Sequence, residues 1–277
     1  MPPDSHNKAK VPLSIILQGQ PASLSSKIFL FPDGSGSGLA YSKLPPLHPD
    51  VCLISMNSPF LTDAKQYTCS IEQCTQLWVN ELHRIQPQGP YTLGGWSAGG
   101  YYAFEMAKIL LAAGEEVADL VLIDSPCRLV YEALPMETVR ELSRKSLMGN
   151  WSLDSAPRWM LDHFESTIKA VEEYRPTPIT EKGISTVYLI WAKDGVGGGK
   201  GAESLNIDFQ NKINQLLLQP RTKFTSMGWE ILLPETLMVA GKTDGNHFQL
   251  VHPPYVSPIC SKTNATSNKI SLVSQSH

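Results

Sequence analysis

A serine between glycines, in Gly95-Trp96-Ser97-Ala98-Gly99, is the feature of this chain best suited to chemistry. It matches the G-x-S-x-G pattern, in which a serine stands on a sharp turn between a strand and a helix. The context agrees, because residues 91–93 are typical of a buried strand and residues 101–113 carry apolar side chains at helical spacing. Glycines two positions from the serine would avoid collisions at so tight a turn. The sequence therefore predicts that Ser97 is an exposed nucleophile.

A serine hydroxyl needs a base to take its proton, and in this arrangement the base is a histidine that follows the acid in the chain. Four of the seven histidines precede the serine or lie in the chain tails. His163 falls inside a predicted helix, where a packed or solvated side chain is expected. His252 directly precedes two prolines, whereas His247 follows the last predicted strand on a glycine-containing loop. We therefore predict that His247 is the base.

Two aspartates could orient that histidine, because each ends a predicted strand after the serine. Asp124 is followed by Pro126, which stiffens the chain. Asp194 opens a glycine-rich stretch, residues 194–202, which we expect to be mobile and therefore a poor mount for a fixed group. The residues favour Asp124 and leave Asp194 open.

Backbone N–H groups must stabilise the negative oxygen that forms when a serine attacks a carbonyl. One is expected from Ala98, which directly follows the nucleophile. The other is expected from the glycine-rich loop at residues 31–38, with Gly34 or Ser35 as the donor. The sequence does not decide between these two.

The rest of the chain supplies elements that could position these groups. Helical patterns at 70–85, 101–113, 136–145 and 156–174 lie among seven apolar runs typical of strands, at 13–17, 28–31, 51–54, 91–93, 120–123, 187–191 and 237–240. This alternation predicts an α/β fold with a mostly parallel sheet covered on both faces. Residues 127–185 form an insert too long for a simple loop, and we expect a helical lid over the site. We expect one domain over residues 1–257 and a polar flexible tail at 258–277.

Composition excludes several classes of protein. The 277 residues carry a net charge of −3, which gives no reason to expect nucleic acid or a membrane as partner. The five cysteines are scattered without a CxxC pair, so neither a disulfide framework nor a metal site is expected. Without a signal peptide or an apolar stretch long enough to span a bilayer, we expect a cytoplasmic protein.

Four segments occur in an order that resembles a known family: Phe31-Pro32-Asp33-Gly34-Ser35-Gly36, Gly95-Trp96-Ser97-Ala98-Gly99-Gly100, Leu122-Ile123-Asp124-Ser125-Pro126 and Gly245-Asn246-His247-Phe248. Together they resemble the thioesterase domains at the ends of fungal non-reducing polyketide synthases. The segment at 228–233 is similar to a further part of those domains. The resemblance extends over most of the chain, from about residue 26 to residue 254.

The resemblance implies an α/β-hydrolase fold with a helical lid and a triad of Ser97, Asp124 and His247. It implies no cofactor of the enzyme's own, because the polyketide acyl chain arrives as a phosphopantetheine thioester on the acyl carrier protein of a polyketide synthase. Release from Ser97 would follow by hydrolysis, lactonisation or Claisen-type ring closure. The sequence has its own Met1 and contains no carrier or ketosynthase segment, so we expect either a freestanding enzyme or an excised domain. The polar residues at the start of the chain and the tail favour the freestanding form.

Large aromatic side chains are candidates for contact with the acyl chain, although packing within a lid is the more frequent role at such spacing. These candidates are Trp96, Trp151, Trp159, Phe164 and Tyr174. Two other functions remain open. A general carboxylesterase or lipase would use the same triad, but the HGGG-type loop frequent in such enzymes is absent from this sequence. The other is a protein that associates with a synthase and either removes only stalled chains or binds without turnover.

Overall fold

Seven strands form a single sheet in the computed structural model of the chain, which describes residues 11–21, 26–148, 157–197 and 205–255. Their order across the sheet is β1-β3-β2-β4-β5-β6-β7, and every neighbouring pair is parallel except β1 and β3. All seven predicted strands are present, most of them longer than predicted. They are β1 (Ser14–Gln18), β2 (Ser26–Phe31), β3 (Val51–Met56), β4 (Tyr91–Trp96), β5 (Val117–Ile123), β6 (Ile184–Ala192) and β7 (Leu237–Thr243).

The described residues include α-helices that connect or follow these strands, together with short 3-10 helices at Gly38–Tyr41 and Ala64–Gln66. The α-helices are α1 (Ile71–Gln76), α2 (Val79–Ile85), α3 (Gly99–Ala112), α4 (Met136–Arg144), α5 (Arg158–Glu173), α6 (Lys212–Leu218) and α7 (Trp229–Leu232). The prediction of a single helix over residues 70–85 is wrong, because the chain forms two helices there, α1 and α2, with a break between Gln76 and Val79. At the break, Trp78 is fully buried and its Nε1 donates a hydrogen bond to the carbonyl of Asn57 at 2.7 Å.

Alternate residues of the central strands pack on opposite faces of the sheet. In β2, for example, Phe29 and Phe31 belong to the cluster beneath α1 and α3, whereas Ile28 and Leu30 belong to the cluster on the other face. All six residues of β3 are buried. Burial on both faces explains why the strands read as continuous apolar runs rather than as polar and apolar residues in alternation.

The insert between β5 and β6 carries α4 and α5. Four residues of α5, Phe164, Thr167, Ile168 and Val171, face a cavity beside Ser97. Trp151, the tail at 258–277 and most of the glycine-rich stretch at 194–202 lie outside the described residues. In the part of the chain that the structure describes, no helix is long and apolar enough to cross a membrane.

Candidate active site

Ser97 stands on the turn between β4 and α3 with a φ of 56°, in the left-handed region that non-glycine residues rarely adopt. Close packing maintains this turn. A Cβ on Gly95 would overlap the backbone of Gly99, and a Cβ on Gly99 would overlap the carbonyl oxygen of Phe31 in β2. Glycine is therefore required on both sides of Ser97, as the sequence predicted.

The Ser97 turn opens into a cavity of about 680 Å³, measured with its mouth. The cavity brings together Ser97, Asp124 and His247, although these residues lie far apart in the chain. Most of the remaining lining is apolar. The other lining residues are Gly34, Ala98, Tyr101, Pro126, Glu132, Leu134, Phe164, Thr167, Ile168, Val171, Ile213, Leu216, Leu217 and Arg221.

His247 and Asp124 are joined by a hydrogen bond of 2.8 Å between Nδ1 of the imidazole and Oδ2 of the carboxylate. Asp124 directly follows β5, and His247 lies on the loop after β7. Because a carboxylate can only accept, Nδ1 carries the hydrogen, and Nε2 of His247 is the nitrogen left to act as a base. This arrangement can take a proton from a hydroxyl and hold the resulting imidazolium beside an anion.

Arg221, on the segment after α6, is a partner of Asp124 that the sequence did not reveal. Both Nη atoms of Arg221 donate to the Asp124 carboxylate, and the Ala192 N–H donates to the same group at 3.0 Å. Burial alone would raise the pKa of Asp124, but Arg221 and His247 together outweigh it and hold that pKa well below its ordinary value. Asp124 is therefore a carboxylate at any pH at which His247 could act as a base.

Asp194, the second candidate for the acid, contacts the histidine loop at a different point. Its carboxylate accepts a hydrogen bond of 2.9 Å from the Gly245 N–H, and its own N–H donates to the Gly245 carbonyl at 3.1 Å. Asp194 thus holds the segment that carries His247 through Gly245, whereas the hydrogen bond of the imidazole goes to Asp124.

Of the candidate oxyanion donors, Gly34 and Ala98 line the cavity and Ser35 does not. The Ser35 N–H instead donates to the Asp33 carboxylate at 3.3 Å, and the Ser35 hydroxyl donates to the same oxygen at 2.6 Å. Because the Ser35 N–H is used within its own turn, Gly34 is the better candidate of the two. The hydrogen bonds of this turn therefore favour Gly34 over Ser35, which the sequence left as alternatives.

The aromatic candidates separate into different environments. Phe164 lines the cavity, and its ring lies so close to Gly34 that a Cβ there would be 2.7 Å from Cε1. Trp96 is instead buried beneath the Ser97 turn, with its ring centroid 5.3 Å from that of His247. Trp159 is partly exposed away from the cavity, and Tyr174 is buried with its hydroxyl bonded to Glu105. Of the four candidates that the structure describes, only Phe164 therefore lines the cavity, and the burial of Tyr174 agrees with the packing role that the sequence analysis gave as the more frequent one.

Comparison with known proteins identifies the family of this chain. A family model described as a thioesterase domain matches residues 26–173. This chain belongs to the thioesterase domain family. The family membership confirms the resemblance that the four sequence segments suggested, and with it the prediction of an enzyme of the thioesterase type.

Curated relatives of this thioesterase are polyketide synthases. It is 39% identical over 250 residues to non-reducing polyketide synthase 1 of Elsinoe fawcettii, an alignment that covers 88% of this chain and 11% of that protein. It is 37% identical over 247 residues to non-reducing polyketide synthase terA of Aspergillus terreus, covering 89% of this chain and 12% of the synthase. The chain thus spans only a small part of the length of either relative.

Solved structures of thioesterase domains share the fold. The surfactin thioesterase domain SrfTE superposes with a TM-score of 0.62 at 17% identity, covering 96% of this chain and 100% of that one. The NocB thioesterase domain of the nocardicin cluster superposes with a TM-score of 0.59 at 24% identity, covering 86% and 91%. These likenesses confirm the predicted α/β fold. Among the described residues, no cluster of histidine, cysteine, aspartate and glutamate side chains could hold a metal ion.

Proposed function

We propose that this thioesterase releases a polyketide acyl chain from the phosphopantetheine arm of an acyl carrier protein, through an acyl-enzyme formed on Ser97. The observation that carries the proposal is the hydrogen bond between His247 and Asp124 in the cavity that also exposes Ser97. The nature of the acyl chain and of the partner is supported by the relatives, which are named as non-reducing polyketide synthases.

In the first half-reaction, Nε2 of His247 takes the proton of Ser97 while Oγ forms a bond to the thioester carbonyl carbon. The N–H groups of Ala98 and Gly34 stabilise the negative oxygen of the tetrahedral intermediate. The C–S bond then breaks, and the imidazolium gives its proton to the departing thiolate of the arm. Asp124 stabilises the imidazolium and keeps the correct nitrogen free throughout.

In the second half-reaction, His247 takes a proton from the group that attacks the acyl-serine. That group is water for hydrolysis, a hydroxyl of the acyl chain for lactonisation, or an acidic carbon of the chain for Claisen closure. The new bond forms at the acyl carbon, the bond to Oγ breaks, and Ser97 recovers its proton from the imidazolium.

The cavity supports an acyl chain with substantial apolar surface. Leucine, isoleucine and valine side chains from α5 and α6 form much of its wall. We further propose that the insert containing α5 acts as the lid. The buried free thiols Cys52, Cys74 and Cys127 are consistent with a reducing, cytoplasmic setting.

The test compares the wild type with Ser97→Ala on a polyketide acyl chain bound to a carrier protein. We expect an acyl adduct on the wild type in intact-protein mass spectrometry and none on the variant, with turnover reduced about 10⁶-fold towards the rate left by binding and the oxyanion hole. An adduct that persists in Ser97→Ala would refute the assignment. Faster turnover of short nitrophenyl esters than of the carrier-bound thioester would instead indicate a general carboxylesterase. Absence of labelling by a fluorophosphonate would indicate a partner without turnover.

A further inference from the structure

His163 is a buried histidine that the proposed reaction does not use. It lies on α5, its side chain is almost completely excluded from solvent, and both ring nitrogens have partners. Nδ1 lies 3.0 Å from the carbonyl oxygen of Gly34, and Nε2 lies 2.6 Å from Oγ of Ser58. Because a carbonyl oxygen can only accept a hydrogen bond, Nδ1 carries the hydrogen. Nε2 therefore accepts a hydrogen bond from the Ser58 hydroxyl. His163 thus connects the α5 helix directly to the loop that carries the oxyanion candidate Gly34.

The two peptide groups that flank Gly34 are both held by hydrogen bonds. The preceding peptide contains the Gly34 N–H and the Asp33 carbonyl, and that carbonyl accepts from the Gly36 N–H at 3.0 Å. The following peptide contains the Gly34 carbonyl, which accepts from His163 and also from the Thr167 hydroxyl at 3.2 Å. A glycine without such contacts would sample many backbone conformations. The peptide that follows Gly34 also contains the Ser35 N–H, which donates to the Asp33 carboxylate. The direction of the Gly34 N–H therefore depends on the contacts of both peptides, and α5 supplies both donors to the Gly34 carbonyl.

Packing between α5 and the loop leaves no room for side chains at the loop glycines. The ring of Phe164 occupies the space beside Gly34, and the ring of His163 occupies the space beside Gly36, where a Cβ would overlap Nε2. Gly36 also has a φ of 75°. The His163 ring is therefore held against the loop by close packing as well as by hydrogen bonds. Together these contacts fix the direction of its Nδ1–H.

We propose that His163 is a positioning residue for the oxyanion hole: by holding the Gly34 carbonyl it aims the Gly34 N–H at the reacting oxygen. The inference rests on the proposed function, because it takes Gly34 as an oxyanion donor. It also implies that the oxyanion hole is complete only while α5 lies against the loop. The neighbour of His163, Phe164, lines the cavity, so the same helix contacts both the acyl chain and the loop.

Three substitutions at residue 163 test the proposal. His163→Asn retains an amide N–H near the position of Nδ1, His163→Gln retains a polar group near Nε2, and His163→Leu retains neither. Removing an oxyanion donor costs about 10²–10³-fold in kcat, so a misdirected donor is expected to cost about 10–10²-fold. We expect that loss in His163→Leu and His163→Gln, with KM changed less than about twofold, and recovery of most of the rate in His163→Asn.

A boronic acid provides a readout that a purely structural role would not change. Boron forms a tetrahedral anionic adduct with Ser97 whose oxygen occupies the oxyanion hole, so its affinity should fall in His163→Leu by the same factor as kcat. Binding of the free acid product, which is planar at its carboxyl carbon, should change by less than about twofold. Thr167→Val, which removes the second donor to Gly34, should give a smaller loss of the same kind.

The outcomes separate this inference from the proposed function. If the wild type turns over the thioester and Ser97→Ala does not, the function holds. The inference is then overturned by wild-type kcat in His163→Leu and His163→Gln, or by equal losses in His163→Asn and His163→Gln. It is also overturned if product binding falls as much as boronate affinity. If His163→Leu does not fold, the matched polar pair His163→Asn and His163→Gln still decides the question.

Discussion

Replacing Asp33 with asparagine should change how the stability of this thioesterase depends on pH. Asp33 lies in the glycine-rich loop at residues 31–38, next to Gly34, and 5% of its surface is exposed. One of its carboxylate oxygens accepts both hydrogen bonds from Ser35. Burial raises its pKa from 3.8 to about 6, although the Ser35 hydrogen bonds and the nearby His247 act in the opposite direction. The folded protein therefore holds this proton over a pH range in which the unfolded chain has released it.

The size of the effect follows from the two pKa values. Because the folded pKa is the higher one, the stability that this proton contributes is fully present below about pH 3.8 and is lost as the pH rises to about 6. A difference of about two pKa units corresponds to about 3 kcal/mol of unfolding free energy. Most of this, about 2 kcal/mol, is lost between about pH 4 and about pH 7.5. Asparagine does not ionise, so the variant escapes this loss.

Urea unfolding of the wild type and of Asp33→Asn at both pH values measures the effect. Subtracting the unfolding free energies of the two proteins at one pH cancels the contributions of the other titrating groups. Comparing that difference between the two pH values then cancels any effect of asparagine on packing that does not depend on pH. We expect the variant to gain about 2 kcal/mol of unfolding free energy relative to the wild type on going from about pH 4 to about pH 7.5. Asp119 has the same folded pKa of about 6, also from burial, so Asp119→Asn should behave alike.

A difference between wild type and Asp33→Asn that does not vary with pH would refute this reasoning. It would mean that the folded protein releases the proton as easily as the unfolded chain, so burial does not raise the pKa of Asp33. A change of the opposite sign would mean that the Ser35 hydrogen bonds and His247 outweigh burial.

Two further predictions concern the acid of the triad. Asp124→Asn should lower kcat on a carrier-bound thioester by about 10⁴-fold, and Asp194→Asn by only about tenfold, because Asp194 braces the histidine loop without orienting the ring. A larger loss in Asp194→Asn would reverse the assignment. Arg221→Met should lower the free energy of unfolding by about 3–5 kcal/mol, because it leaves the Asp124 carboxylate buried without its cation. A urea midpoint equal to that of the wild type would contradict this account of the ion pair.

The residues that we propose to react were singled out from the sequence because each lies in a local pattern. The glycines around Ser97 reflect overlaps that any side chain would create at the turn, and these overlaps depend only on neighbouring elements. His247 was selected as the base because it follows the last strand on a loop that contains glycine. The strands were found because burial on both faces makes them continuously apolar. In each case the result is a residue type or a short run that stands out locally in the sequence, even where the cause is distant, as with Phe31 beside Gly99.

The groups that hold the site together leave no such signature. Arg221 meets Asp124 across 97 residues of chain, from a segment after the short helix α6 that periodicity did not predict. His163 was expected to be packed or solvated within a helix, and nothing in its surroundings in the sequence indicates that its partner is the carbonyl of Gly34. Contacts made to backbone carbonyls place no constraint on the side chain at the accepting residue. Sequence therefore cannot show where such a partner lies.

Tyr41 shows the same limit at the centre of the site. Its hydroxyl donates to the Phe31 carbonyl at 2.6 Å and accepts from the Trp96 N–H at 2.8 Å. Burial raises the pKa of Tyr41 far above its ordinary value, so the hydroxyl keeps the proton that it donates. One phenol therefore joins the strand end that leads to Gly34 with the strand end that leads to Ser97. Because the hydrogen-bond partners of this hydroxyl among the described residues are a backbone oxygen and a backbone nitrogen, the sequence does not show which of the nine tyrosines fills this role. The proposed nucleophile and base can be read from the sequence, whereas the contacts that hold the strand ends around them are visible only in the folded chain.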